Sequence, residues 1–366
     1  MLQFLILGIL AIFFAYQSQF KGKKNMLIFS FVIITYVMGM QDAISIDFNN
    51  YKGIFYDILG GKIDHSYLGF GTKDGFDGIE SGWYFLNLFI GHTLGYYNVV
   101  ATIASAIISF ALYKIILLCD SRYRWLAVTY FYFIPMLFFM SAIRRGVAVG
   151  IFILVVIYII EKSWKKAAIF VLLGFSFHNS FIFSLAFIPL LFIPDKFLNK
   201  YKRTTTILLL MTYSLTVLFS SQINEYAITL ATSNLGEEMS SYEGYFEDAA
   251  RAKLSTIYII FRYILFCISL FAFWNSNRSI RKILLLYILS SYTIAVLGEN
   301  NNIARLNYYI SIFAVPCMCT IPSLLKNKML RYAFLLLISY YIFNNFTKAL
   351  DTTHYSRFKE YETIIF

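Results

Sequence analysis

The chain has 366 residues, of which 59% are hydrophobic and only 14% charged, with 38 Phe and 29 Tyr and a mean hydropathy of +0.66. That balance excludes a soluble globular protein and marks a polytopic membrane protein. The net charge of +11 would suit a nucleic-acid binder, but the basic residues gather in short connections between apolar stretches, where they signal topology and meet anionic lipid, so nucleic acid is excluded.

A spanning helix needs about 20 apolar residues to cross about 30 Å of hydrocarbon, somewhat fewer where the bilayer thins. Twelve stretches read as spans: residues 2–19, 25–45, 98–118, 125–142, 147–161, 165–178, 179–194, 204–222, 254–275, 281–297, 303–323 and 329–346. Residues 81–95 are a shorter apolar segment that reads as re-entrant or interfacial. The first stretch lacks a small-residue cleavage site and reads as a retained helix. Residues 1–366 are thus expected to form a single integral membrane domain with two long loops, 46–97 and 223–253.

Orientation follows from Lys and Arg in the short loops. The connections holding Lys21, Lys23 and Lys24; Arg122 and Arg124; Lys162, Lys165 and Lys166; Lys196, Lys200, Lys202 and Arg203; Arg278, Arg281 and Lys282; and Lys326, Lys328 and Arg331 carry 18 of the 31 basic residues. With twelve spans all six fall on one side, accompanied only by Asp120, Glu161 and Asp195 among the acids. Both termini and both long loops are therefore expected outside. The four cysteines, Cys119, Cys267, Cys317 and Cys319, lie in or beside the apolar stretches, so no external disulfide is implied, and Cys-x-Cys without His or carboxylate company is a poor metal site.

Arg144 and Arg145 interrupt the apolar stretch from Trp125 to Ile160 with no neutralising residue in it. A cation near the end of a membrane helix must snorkel, pair or meet an anionic ligand, and phosphate is the anion that suits the place. On the same outer side the topology places His178 within Ser176-Phe177-His178-Asn179-Ser180, Arg305 just after Gly298-Glu299-Asn300-Asn301-Asn302, and Arg262 roughly two turns inside the ninth stretch. From Lys166 to Phe177 the helix is only about 18 Å long, and the helix from Gly146 to Glu161 about 24 Å. Short helices side by side are expected to leave a crater open to the outside, lined by Arg144, Arg145 and His178. A competing reading makes residues 165–194 one long span with His178 midway.

The long loops are polar but aromatic: Asp47-Phe48-Asn49-Asn50-Tyr51, then Glu80-Ser81-Gly82-Trp83-Tyr84, then Tyr242-Glu243-Gly244-Tyr245-Phe246. Carboxylates and amides beside rings suit sugars, whose hydroxyls need hydrogen bonds and whose C–H faces stack on aromatic planes. Trp and Tyr also mark membrane interfaces generally.

In order along the chain, Asp47-Phe48-x-x-Tyr51, Glu80 followed by Gly and aromatics, Ile143-Arg144-Arg145-Gly146-Val147-Ala148, Phe177-His178-Asn179-Ser180 and Arg305-Leu306-Asn307-Tyr308-Tyr309 resemble the EpsG family of O-antigen and exopolysaccharide polymerases, often called Wzy. Members commonly carry Arg-Gln where this chain has Arg144-Arg145, so Arg144 matches the family arginine. The resemblance implies an all-α polytopic membrane protein of about twelve transmembrane helices in a GT-C-like membrane glycosyltransferase architecture, in the bacterial cytoplasmic membrane, acting outside it. It further implies transfer of a glycan from undecaprenyl pyrophosphate to the non-reducing end of an incoming lipid-linked repeat unit. The partners implied are that lipid-linked oligosaccharide as donor and acceptor, membrane lipid and a chain-length regulator protein.

Such chemistry needs the pyrophosphate leaving group neutralised, a task for arginines, and an acceptor hydroxyl aligned and deprotonated by His or a carboxylate. Arg144 and Arg305, with Arg145 and Arg262, are expected at the pyrophosphate. His178 is expected as a catalytic or leaving-group contact, Glu80, Asp47 and Glu299 compete as base, and Tyr51, Trp83, Tyr242, Tyr245 and Tyr309 meet the glycan. No paired-carboxylate motif convincingly holds a divalent cation, so no cofactor or metal is expected. A lipid-linked oligosaccharide flippase would share twelve spans and cavity cations but implies related halves, which the sequence lacks. A glycan ligase or membrane acyltransferase would share the outer Arg and His.

Overall fold

Lipid offers the backbone no hydrogen-bond partner, so a chain of this composition must satisfy its peptide groups within helices. The computed structural model describes all residues except 42–44, 69–71, 74–75, 221, 224–225, 227–255, 298–306, 352–360 and 362–366. The described helices are α1 (Leu2–Gln17), α2 (Met26–Gly39), α3 (Ile46–Leu59), α4 (Ser81–Thr93), α5 (Tyr97–Leu117), α6 (Arg124–Phe133), α7 (Pro135–Ser141), α8 (Ile143–Ile160), α9 (Trp164–Phe177), α10 (Phe181–Leu185), α11 (Asp195–Lys200), α12 (Lys202–Leu218), α13 (Thr256–Asn275), α14 (Arg278–Leu297), α15 (Tyr308–Ser311), α16 (Ala314–Leu324) and α17 (Lys328–Asp351). The only described strands are a two-residue antiparallel pair, Thr72–Lys73 with Phe76–Asp77. The described residues divide into two compact units, Met1–Ile182 with Met318–Phe366, and Phe183–Cys317.

In the first unit α8 is the central element. Beyond its first turn it is apolar on every face, and a helix with no polar face must be surrounded by protein or lipid. It packs against α5 and α9, and residues Gly146–Ile157 are buried throughout. Close approach to α5 depends on Gly150, where a Cβ would lie 2.8 Å from the Ile108 Cα and 3.1 Å from its backbone nitrogen. Around this core, α1 and α2 pair through Ser30, whose hydroxyl donates to the Ala11 carbonyl at 2.7 Å. The Tyr132 hydroxyl donates to the Phe4 carbonyl at 2.6 Å, joining α6 to α1. The C-terminal segment returns to this unit: Phe346 of α17 stacks on Phe4 with centroids 6.0 Å apart, and buried Tyr361 donates to the Val37 carbonyl at 2.9 Å. In the α5–α6 connection, Arg122 hydrogen-bonds Asp120 and holds its carboxyl below the usual carboxylate range, while Arg124 donates to the Leu117 and Cys119 carbonyls at the end of α5.

The second unit is held by aromatic hydroxyl-bearing faces. Tyr213 of α12 stacks on Phe266 of α13 with centroids 3.9 Å apart, and the Tyr292 hydroxyl of α14 donates to the Leu209 carbonyl at 2.6 Å. At the start of α11, Asp195 pairs with Arg278 at 3.1 Å and Arg281 at 3.5 Å.

Among the described residues, each of the twelve apolar stretches coincides with a helix or a broken helix. Two of these, Tyr97–Leu117 and Ile143–Ile160, are long and apolar enough to cross a membrane, and Ser121–Phe133 with Pro135–Ser141 makes a third if the pair is one span bent by 43°. The bend has a local cause: Pro135 opens α7 without an N–H to donate, and the backbone at Ile134 leaves helical geometry. Two expectations gain detail. Within residues 46–97, Phe48, Phe55 and Ile58 form a buried face of α3, and the shorter apolar segment expected at 81–95 is α4, residues 81–93. Residues 165–194 divide as the two-stretch reading expects and not as the competing single span, because α9 stops at Phe177 and His178 is extended (φ −161°, ψ 124°).

The Gly150 contact is testable. Gly150→Ala forces the backbones of α5 and α8 apart and is expected to destabilise the protein by about 1–3 kcal/mol, read as a lower thermal unfolding midpoint in detergent; an unchanged midpoint would show that the two helices separate freely.

Candidate active site

The breaks around α7 decide where the arginines lie. Ala142, at φ −88° and ψ 58°, ends α7 and caps α8, so Arg144 and Arg145 fall in the first turn of α8. A helix N-terminus carries partial positive charge, and that turn contains no acidic residue. The compensation comes from a distant segment. Glu80, only 7% exposed, places Oε2 2.9 Å from Arg144 Nη1.

Glu80 precedes α4 and reaches α8 because α4 starts in contact with the end of α9. At Gly82 a Cβ would lie 2.5 Å from Ser176 Oγ and 2.7 Å from the Ser176 carbonyl oxygen. Only glycine permits that approach without movement. It brings the other Glu80 oxygen, Oε1, to the Asn179 amide, which donates to it at 3.2 Å. His178 Nδ1 lies 3.9 Å from the same oxygen. The next amide in the turn, that of Ser180, donates to His178 Nδ1 at 3.1 Å, and the Ser180 hydroxyl lies 3.0 Å from that nitrogen.

Aromatic rings close the other side of the guanidinium. Arg144 Cζ lies 5.1 Å from the centroid of Tyr51, within cation–π range. Tyr51 meets Trp83 edge to face at 5.8 Å. Arg145 takes a separate ring, with Cζ 5.8 Å from the Phe138 centroid. Asp47, one turn before Tyr51 on α3, accepts from Ser141 Oγ at 3.2 Å.

Polar side chains aimed at backbone fix α3 beside the α7–α8 break. Asn98 of α5 donates to the Gln41 carbonyl at 3.0 Å, Gln41 Nε2 donates to the Met140 carbonyl at 3.1 Å, and Ser45 Oγ donates to the same carbonyl at 3.1 Å. The end of α2, the start of α3 and the end of α7 are therefore tied at one point.

Two buried donors in this cluster, Arg144 Nε and Trp83 Nε1, have no hydrogen-bond partner among the described residues. Unsatisfied buried donors are costly and uncommon in folded proteins. The Arg144 side chain is 21% exposed, so an anionic ligand can reach that guanidinium, whereas Trp83 is enclosed.

The structure thus gathers Arg144, Arg145, Glu80, His178, Tyr51, Trp83 and Asp47 from four separate segments. Trp83 is completely buried, so its ring is walled in by protein. Arg262 lies on α13 and Tyr309, also fully buried, on α15, both in the second unit. Arg305, Glu299, Tyr242 and Tyr245 lie outside the described residues. Among the described residues, no three His, Cys, Asp or Glu side chains gather as metal ligands. Ser141 and the backbone amides of Asn179 and Ser180 were not singled out by sequence, whereas Gly82 belongs to the motif that follows Glu80.

The Glu80–Arg144 contact is expected to behave as a coupled pair. Glu80→Ala and Arg144→Ala should each lower the unfolding midpoint, and the double variant should lose less than the sum, with a coupling of about 1–3 kcal/mol; strict additivity in a double-mutant cycle would show that the contact carries no stability.

A family model described as the EpsG family matches residues 24–363, while no curated protein and no solved structure matches the chain. That match takes in both units and every described residue of the cluster. With a site of paired arginines, an ion-paired glutamate and a turn histidine inside a helical scaffold, the chain belongs to the EpsG family, a family of Wzy-type polymerases.

Proposed function

We propose that this protein polymerises undecaprenyl-pyrophosphate-linked oligosaccharide repeat units at the outer face of the bacterial cytoplasmic membrane, with all twelve apolar stretches spanning in a GT-C-like arrangement. The family is one of polysaccharide polymerase-like membrane proteins. The observation that carries the finer reading is the Arg144 guanidinium, seated in the first turn of α8, paired to buried Glu80, faced by Tyr51, and retaining an unpartnered Nε.

A pyrophosphate is a leaving group whose departure needs its growing negative charge stabilised. Arg144 offers a planar fork of donors suited to phosphate oxygens, at a helix N-terminus that attracts anions. Arg145 adds a second cation one residue on. Tyr51 gives a ring edge-on to the buried Trp83, an apolar plane on which a sugar C–H face can rest. Asp47 stands one turn from Tyr51, within reach of the same ligand, as a candidate for orienting or deprotonating the acceptor hydroxyl. In this reading arginines take the charge-neutralising part that a divalent ion plays elsewhere, and the reaction is metal-independent.

Two experiments test it with purified protein and a synthetic lipid-linked repeat unit. Arg144→Ala is expected to reduce polymer formation by about 100-fold or more, the scale of losing a preorganised donor to a developing charge, and Arg144→Lys to recover little because the ammonium cannot make the bidentate contact. Near-normal chain growth by correctly folded Arg144→Ala would refute the site. Wild-type turnover is expected to persist in EDTA; loss of activity that a divalent ion restores would refute metal independence. The product also separates the readings, since a ladder of repeat units marks a polymerase and transfer to a different acceptor marks a ligase.

A further inference from the structure

The turn after α9 holds its two functional side chains with two successive backbone amides. Asn179 N–H donates to Glu80 Oε1 at 3.2 Å, and Ser180 N–H donates to His178 Nδ1 at 3.1 Å. A backbone amide can donate but cannot accept. His178 Nδ1 must therefore present its lone pair to Ser180, and in the neutral ring the proton is on Nε2. The Ser180 hydroxyl, 3.0 Å from the same nitrogen, adds a second donor to that lone pair. Placing a proton on Nδ1 would set N–H against N–H and lose the amide bond. The 3.9 Å separation of Nδ1 from Glu80 Oε1 is beyond hydrogen-bond range, and that oxygen is already held by Asn179. The Glu80 carboxylate therefore does not draw a proton onto Nδ1.

We propose that His178 acts as a neutral hydrogen-bond donor through Nε2 to the departing phosphate oxygen, and that Ser180 is the positioning residue that fixes this tautomer. The inference rests on the polymerase reading for its substrate, but the tautomer stands on geometry alone. It takes the proton-abstracting role away from His178. The Nδ1 lone pair is occupied by Ser180, and a protonated Nε2 has no in-plane lone pair with which to accept.

The transfer step then balances without the ring gaining or losing a proton. The acceptor hydroxyl oxygen bonds to the anomeric carbon of the donor glycan. The bond from that carbon to the pyrophosphate oxygen breaks, and its electron pair leaves with undecaprenyl pyrophosphate. The Nε2–H hydrogen-bonds to that oxygen as charge builds, while the hydroxyl proton passes to a carboxylate. Glu80 is engaged by Arg144 and the Asn179 amide, which leaves Asp47, held by the Ser141 hydroxyl, as the described carboxylate suited to receive it.

Nitrogen-15 NMR of the full-length protein labelled at histidine, with the His178 signals identified by their loss in His178→Gln, reads the tautomer without substrate. The expected result is a protonated Nε2 and an unprotonated Nδ1; a protonated Nδ1 or an imidazolium at neutral pH would overturn the proposal. Polymerisation assays then separate donor from base. His178→Gln places an amide N–H where Nε2–H lies and is expected to keep turnover within about tenfold of wild type, whereas His178→Asn, whose amide reaches only the Nδ1 position, is expected to lose about 100-fold. Equal inactivity of folded Gln and Asn variants would overturn the donor role. Ser180→Ala is expected to shift the Nδ1 resonance and lower turnover, and Ser180→Thr to restore both; an unmoved resonance in Ser180→Ala would remove the hydroxyl from the positioning role. A wild-type protein that makes no polymer would defeat the polymerase reading while leaving the NMR result intact.

Discussion

The buried contact between Glu80 and Arg144 is the interaction around which the first unit's polar interior is arranged. A guanidinium in the first turn of an apolar helix has no cheap solution within its own segment, because the helix end is already positive and its neighbours are Ile143, Gly146 and Val147. The solution comes from α4, more than sixty residues earlier, and it requires α4 to reach the end of α9. That is why a glycine stands at position 82 against the Ser176 backbone, and why the α9 turn spends an amide on the glutamate. A buried ion pair contributes little net stability once desolvation is counted. Its effect here is to hold one cation at a defined position where a bound anion can reach it.

The surrounding fold supplies rigidity through backbone-directed bonds. Asn98, Gln41 and Ser45 bind carbonyl oxygens at the ends of α2 and α7, groups that helix termini leave unsatisfied. Each such bond removes a cost and fixes a helix end at once. The α7–α8 break is therefore a well-anchored feature despite its irregular backbone, and α3 brings Asp47 to Ser141 and Tyr51 to Arg144 there.

Much of this was legible in the sequence, and the limits have physical causes. Helices α5 and α8 were plain because nothing interrupts their apolar runs. Arg144, His178 and Glu80 stood out because charge in such surroundings demands a partner. Helix α3 was obscured: Asp47, Asn49, Asn50 and Lys52 dilute its hydropathy, and its buried face carries Phe48, Phe55 and Ile58, a helical spacing within a segment whose overall polarity reads as loop. The pairing of Glu80 with Arg144 is not written in the sequence, because it depends on the packing of α4 on α9. The parts played by the Asn179 and Ser180 amides leave no trace in residue type, since every residue but proline carries an N–H. Trp83, expected to meet the glycan, is enclosed by protein and meets Tyr51 edge to face.

Glu80 has a consequence for how tightly Arg144 can hold an anion. Because the guanidinium already owns a counter-ion at 2.9 Å, a phosphate at this site meets a partly neutralised cation instead of an empty cationic hole and binds less tightly than at an unpaired arginine. The carboxylate, kept in place by the Asn179 amide, stays beside the guanidinium and weakens its hold on any bound anion. A site built this way trades affinity for release.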